Sequence, residues 1–235
     1  MEATQELRFR RTAGGCVFVA LIIQMISSLS LLAGLHWHIS WLVDPFTQLK
    51  TGAANVSLVR WGAVTDMLGY YLLLVPLFLA IGAQLRARHG TSADLFTLGG
   101  IAYALLGASA AAVLAATMPG LYADMRLAPG PATQAAGVVV DAVFIGVWGT
   151  LETIPLGLWA LGTGVLLKRE GRAIGMIGIF TGIACLAFAG VRIVGWRFGT
   201  VGFLMAGAVF GLPFTAYEVL LAFQLIRGRV EQREV

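Results

Sequence analysis

The chain has 235 residues, 58% of them apolar and only 12% charged, and its mean hydropathy is +0.84. These proportions exclude an ordinary soluble domain and describe a polytopic membrane protein. The formal net charge is +4, but the arginines are spread over four separate helix ends, so the basic balance reports topology and not a nucleic-acid surface.

Six apolar stretches, each about 20 residues or longer, suffice to cross a hydrocarbon core of about 30 Å as helices. They cover residues 13–35, 61–85, 94–117, 141–167, 173–195 and 200–226. No linker or low-complexity run divides the chain, so residues 1–235 are expected to form one domain, an all-α bundle of six transmembrane helices.

The first stretch follows Arg8-Phe9-Arg10-Arg11, which resembles the basic start of a signal peptide. It is too long and lacks a small-x-small cleavage site, so an uncleaved helix is expected. An outer loop, His36 to Arg60, contains His36-Trp37-His38, Trp41 and Asp44-Pro45, and tryptophan at that level suits a membrane-interface belt. His36 and His38 have a permissive metal-ligand spacing, but His89 belongs to the opposite end and supplies no third imidazole there. No metal or other cofactor is therefore expected, and no helix carries a histidine to ligate haem. Cys16 and Cys185 fall at different depths in the first and fifth helices, which argues against a disulfide.

The second helix carries Asp66, Tyr70 and Pro76; the third is thin, with Ala102, Gly107, Ala108 and Ala111. A second outer loop is expected from Met118 to Gln134, where Pro119-Gly120 and Pro129-Gly130-Pro131 signal turns. The fourth helix holds Asp141, Trp148, Glu152, Pro155 and Trp159. Gly178 and Gly182 in the fifth helix, and Gly207 and Gly211 in the sixth, have the G-x-x-x-G spacing that lets helix backbones approach. Helices two, four and six each contain a carboxylate and a proline (Asp66 and Pro76, Glu152 and Pro155, Glu218 and Pro213) and end in basic residues, a pattern suggesting three related hairpins.

Basic clusters mark one set of helix ends: Arg8, Arg10 and Arg11; Arg86 and Arg88; Lys168, Arg169 and Arg172; Arg227, Arg229 and Arg233. The other set has only Lys50, Arg60, Arg126, Arg192 and Arg197. The positive-inside rule then makes both termini cytoplasmic.

Ionisable groups at membrane depth cost about 2.5–3.5 kcal/mol each and mark function or pairing. At 1.5 Å per residue, Asp66 and Arg192 lie about 30 Å from their basic ends and Glu152 about 24 Å, all in the outer half. Asp141 is expected nearer the outer surface, and Glu218 in the inner half, about 13 Å from Arg227. Convergence at one level suggests that Glu152 pairs with Arg192, while Asp66 joins them or pairs with Arg60. Helical spacing places Trp148, Pro155 and Trp159 on the face of Glu152, and Tyr70 on that of Asp66. Asp66, Tyr70, Trp148, Glu152, Trp159 and Arg192 thus form the leading candidate pocket; His36, His38, Arg60, Asp141 and Glu218 are secondary candidates. Buried ion pairs that only specify helix packing are the competing explanation. Nucleotide loops, G-x-S-x-G elbows and H-E-x-x-H motifs are absent from the sequence.

Arg60-Trp61-Gly62-Ala63-Val64-Thr65-Asp66, Glu152, and the closing run Gly211-Leu212-Pro213-Phe214-Thr215-Ala216-Tyr217-Glu218 with its basic tail resemble a bacterial integral membrane family known as domain of unknown function four-three-eight-six. The resemblance covers nearly the whole chain and implies a six-helix protein of the bacterial inner membrane, without implying a mechanism. The loop with His36-Trp37-His38 departs from that family. Four functions fit the sequence: a pocket for a small amphipathic or lipid-like molecule, an accessory subunit, an acid–base enzyme on an isoprenoid or lipid, and a small proton-coupled transporter. Expected partners are membrane lipid, such a ligand, and a second copy or another membrane subunit, with no nucleic acid.

Overall fold

The computed structural model describes residues 3–39, 55–127, 130–195, 202 and 205–227, with the side chains of Asp141 and Ile145 excepted. Trp41, Asp44, Pro45, Lys50 and Arg197 lie outside the described residues. Six long helices run antiparallel in sequence: α1 (Ala3–Gly34), α2 (Val56–His89), α3 (Thr91–Leu127), α4 (131–169), α5 (Ile174–Ile193) and α6 (Gly207–Arg227). All six contain spans long and apolar enough to cross a membrane, so the protein is a multi-pass, all-α membrane bundle. Each helix packs on the next, and α6 returns to α1, closing a ring of six.

Small residues make the ring tight. A methyl group added at Gly182 of α5 would lie 2.4 Å from the Leu161 backbone nitrogen, and one at Gly164 of α4 would lie 2.6 Å from that of Ile179. The α4–α5 seam is therefore backbone against backbone, the packing that lipid favours when apolar burial gives no drive to associate. Gly178 and Gly182 belong to this seam, as their spacing suggests. Gly207 and Gly211 do not: nothing lies within 4 Å of a methyl placed on either, and both sit instead in an irregular turn of α6 facing the interior.

The basic ends are held by short turns. Gly90 between α2 and α3 (φ 53°) and Gly171 between α4 and α5 (φ 77°) take left-handed backbone that other residues adopt at a cost. Glu170, its side chain 6% exposed, joins both turns by bridging Arg88 (3.4 Å), His89 (3.3 Å) and Arg172 (3.2 Å). At the far end α1 stops in left-handed residues His36 and Trp37, with the Trp37 amide donating to the Leu32 carbonyl at 2.8 Å.

The expected loop from Met118 to Gln134 is not formed. Helix α3 continues through Pro119-Gly120 to Leu127, and α4 begins at Pro131, leaving residues 128–130 between them. Met118, Leu121 and Tyr122 explain the difference, because they continue the buried stripe begun by Leu114 and pack with Leu35, Val59 and Val140. That burial outweighs the local turn signal, and a proline is tolerated inside a membrane helix whose freed carbonyl finds other partners. At 37 residues α3 is about 55 Å long, well beyond the hydrocarbon thickness.

Helices α2, α4 and α6 each contain a π-helical stretch: Met67–Tyr71, Val143–Leu151 and Gly207–Gly211. Each closes on an amide that reaches five residues back, Leu72 to Met67, Glu152 to Val147 and Leu212 to Gly207. A proline follows each one, at Pro76, Pro155 and Pro213. The proline removes an amide from the ladder just where the wider turn has already shifted its register. In α2 the π stretch passes through Tyr71 (φ −125°, ψ −70°) into one 3₁₀ turn, Leu72–Leu74, so this helix is interrupted at mid-span.

Candidate functional site

All three π stretches face one cavity of about 620 Å³ in the middle of the ring, lined by residues from all six helices. Its wall at the end remote from the basic clusters is apolar, made by Leu31, Leu35, Val59, Leu114 and Met118. The floor toward the basic end is polar and aromatic, with Asp66, Tyr70, Tyr71, Tyr103, Trp148 and Glu152. On the α5–α6 side the lining includes Phe188, Arg192, Gly207 and Leu212.

Five of the six leading candidates line this cavity: Asp66, Tyr70, Trp148, Glu152 and Arg192. Trp159 does not. It is fully buried below the floor, its ring edge-on to Phe78 at 4.7 Å and 5.6 Å from Tyr217, one helical segment too far along α4 to reach the cavity.

Glu152 and Arg192 do not form the expected ion pair. The Trp148 indole N–H donates to the Tyr71 hydroxyl, and that hydroxyl in turn donates toward the Glu152 carboxyl. The Arg192 guanidinium lies over the Phe188 ring at 5.9 Å and against Gly149, where an added methyl would come 3.1 Å from Nη2. The π stretch Val143–Leu151 accounts for this, because one added residue turns Glu152 away from the face a regular helix would give it and toward α2. Asp66 is buried, 6% exposed, while Arg60 is exposed at the end of α2, and no ion pair joins them. Asp66 Oδ2 and Glu152 Oε2 are both buried with no hydrogen-bond partner among the described residues.

The other secondary candidates are elsewhere. His36 and His38 are exposed beyond the end of α1. Asp141 belongs to α4, and its side chain lies outside the described residues. Glu218 is buried in α6 below the cavity, where it takes a hydrogen bond from Gln24 of α1. Gln24 also donates to the Gly69 carbonyl of the first π stretch at 3.1 Å, so one amide ties α1, α2 and α6 together under the floor. Beside it Tyr217 shares a 2.9 Å hydrogen bond with Thr163.

Sequence reasoning overlooked Tyr71, Tyr103 and Gln24. Adjacent residues of a regular helix point about 100° apart, so Tyr70 and Tyr71 were not both expected inside; the π stretch admits both. Gly107 of α3 makes the space for the Tyr71 ring, since a methyl there would lie 1.9 Å from Tyr71 Cε1. Tyr103, centred 5.2 Å from Tyr71, stands among the buried small residues of α3, and that pattern was visible in the sequence.

An aromatic floor with two carboxyl side chains, a nearby guanidinium and apolar walls can hold a molecule with a polar head and an apolar body. The Trp148–Tyr71–Glu152 file can also orient one carboxyl toward such a molecule. No family model, curated protein or solved structure matches the chain.

Proposed function

We propose that this membrane protein binds a small amphipathic or lipid-like molecule in the cavity among its six helices. One observation carries the reading: a space of about 620 Å³ lined by Asp66 and Glu152, both over nine-tenths buried and each with one unpartnered oxygen, opposite an apolar wall. Its size lies within the range of ligand pockets, about 300–1,000 Å³. A purely structural role for these acids calls for partners within the bundle, because an unsatisfied buried polar group costs about 1–3 kcal/mol.

By the distribution of lysine and arginine we place both termini in the cytoplasm and the cavity in the outer half of the membrane. The resemblance to domain of unknown function four-three-eight-six implies that this is a bacterial inner membrane. Native mass spectrometry of protein released from nanodiscs tests the function. A discrete added mass that Glu152→Gln abolishes is the expected result; a bare chain in every preparation refutes the reading.

A further inference from the structure

The polar floor restricts the head group, granting that the cavity is the ligand site proposed above. Two carboxyls lie there, Asp66 from α2 and Glu152 from α4, both over nine-tenths buried. Two acidic side chains in one largely apolar enclosure call for a head that brings N–H groups. Around them stand the rings of Tyr70, Tyr71, Tyr103 and Trp148, and ring faces attract cations and not anions.

One cationic side chain lines the same space among the described residues, Arg192, and it is already engaged by the Phe188 ring. Two acidic side chains stand against that one guanidinium among the described residues, so an anionic head is disfavoured in a medium that screens charge poorly, whereas a cationic head can pair with the acids.

We propose that the cavity takes an amphiphile with a monocationic alkylammonium head, seated between Asp66 and Glu152 with its chain along Leu31, Leu35, Val59, Leu114 and Met118. The head donates to the Asp66 and Glu152 carboxyls, and the chain lies along the apolar wall.

Calorimetric titration of the whole protein in maltoside micelles with octylammonium and with octanoate, equal in chain and opposite in charge, tests this. The expected result is saturable octylammonium binding at least about tenfold tighter than octanoate, with Asp66→Asn and Glu152→Gln each weakening it about tenfold. Trp148→Leu removes a ring and no charge; it should weaken octylammonium about threefold and leave octanoate unchanged, so the inference stays testable if a carboxyl variant fails to fold. Octanoate binding as tightly as octylammonium overturns the cationic head but leaves the cavity as an amphiphile site. Absence of saturable binding by either probe overturns both.

Discussion

Gly182→Ala should loosen the bundle along its closest seam. The added carbon would stand 2.4 Å from the Leu161 nitrogen, 2.5 Å from Leu161 Cβ and 2.7 Å from the Gly157 carbonyl oxygen. Two of these three are backbone atoms, so no rotamer change relieves the clash, and the helices must separate by about 1 Å to restore ordinary contact. That shift cannot be local, because Gly157, Gly164, Gly175 and Gly178 share the same seam, and a methyl on any of them would come 2.5–3.1 Å from facing backbone. Overpacking of this kind costs about 1–3 kcal/mol, and an alanine in place of glycine returns up to about 1 kcal/mol of helix propensity. With the full propensity gain the net loss is up to about 2 kcal/mol, a factor of up to about 30 in the folded-to-unfolded ratio.

Gly190→Ala in the same helix is the matched control: a methyl there meets nothing within 4 Å, so only the propensity gain remains. Reversible unfolding in mixed micelles, titrated with denaturing detergent, should separate the two variants by the overpacking cost, about 1–3 kcal/mol. If Gly182→Ala unfolds within about 0.5 kcal/mol of Gly190→Ala, the seam is not close-packed and the argument fails.

Tyr217→Phe deletes the hydroxyl that shares a 2.9 Å hydrogen bond with Thr163, and should cost about 0.5–1.5 kcal/mol in the same unfolding assay without changing probe binding in the cavity. Gln24→Leu removes the amide joining the Gly69 carbonyl to Glu218 and leaves both without a donor; a loss of about 1–3 kcal/mol is expected, and an unchanged midpoint would show that water takes its place. Glu170→Ala leaves Arg88, His89 and Arg172 crowded without their shared carboxylate. Its cost should fall below the 3–5 kcal/mol typical of a fully buried pair, because the Arg88 side chain is 56% exposed, and cleavage of the basic-end turns by added protease should quicken.

The bundle was legible because membrane helices must satisfy every backbone group internally, which leaves hydropathy and length to mark them. Helix ends were less legible. Pro119-Gly120 is a turn signal in water, but the stripe Leu114, Met118, Leu121 and Tyr122 had a place to be buried, and only the fold reveals that. The site divides in the same way. Depth counting put Asp66, Glu152 and Arg192 at one level, and all three do line one cavity. Their pairing was not legible, since it depends on helix rotation, and rotation changed at a π stretch that has no simple sequence signature. Trp159 shows the same limit, placed on the cavity by ideal spacing and in the core by the real helix.

The three interrupted helices connect these points. A proline in a regular helix leaves one carbonyl without its amide and bends the axis. Here each proline follows a π stretch, so the disturbance is concentrated in a few residues, and in all three helices those residues face the cavity: Tyr70 and Tyr71, Phe144 and Trp148, Gly207 and Phe210. Wide turns add lining residues that a straight helix of equal length would point elsewhere, and they sit beside Asp66 and just before Glu152. Irregular backbone at membrane depth persists where it is enclosed by protein or lines a cavity, and facing lipid it would be costly. The bundle is regular at its seams and irregular around its centre, and that division follows if the central space, rather than helix packing alone, is what these residues serve.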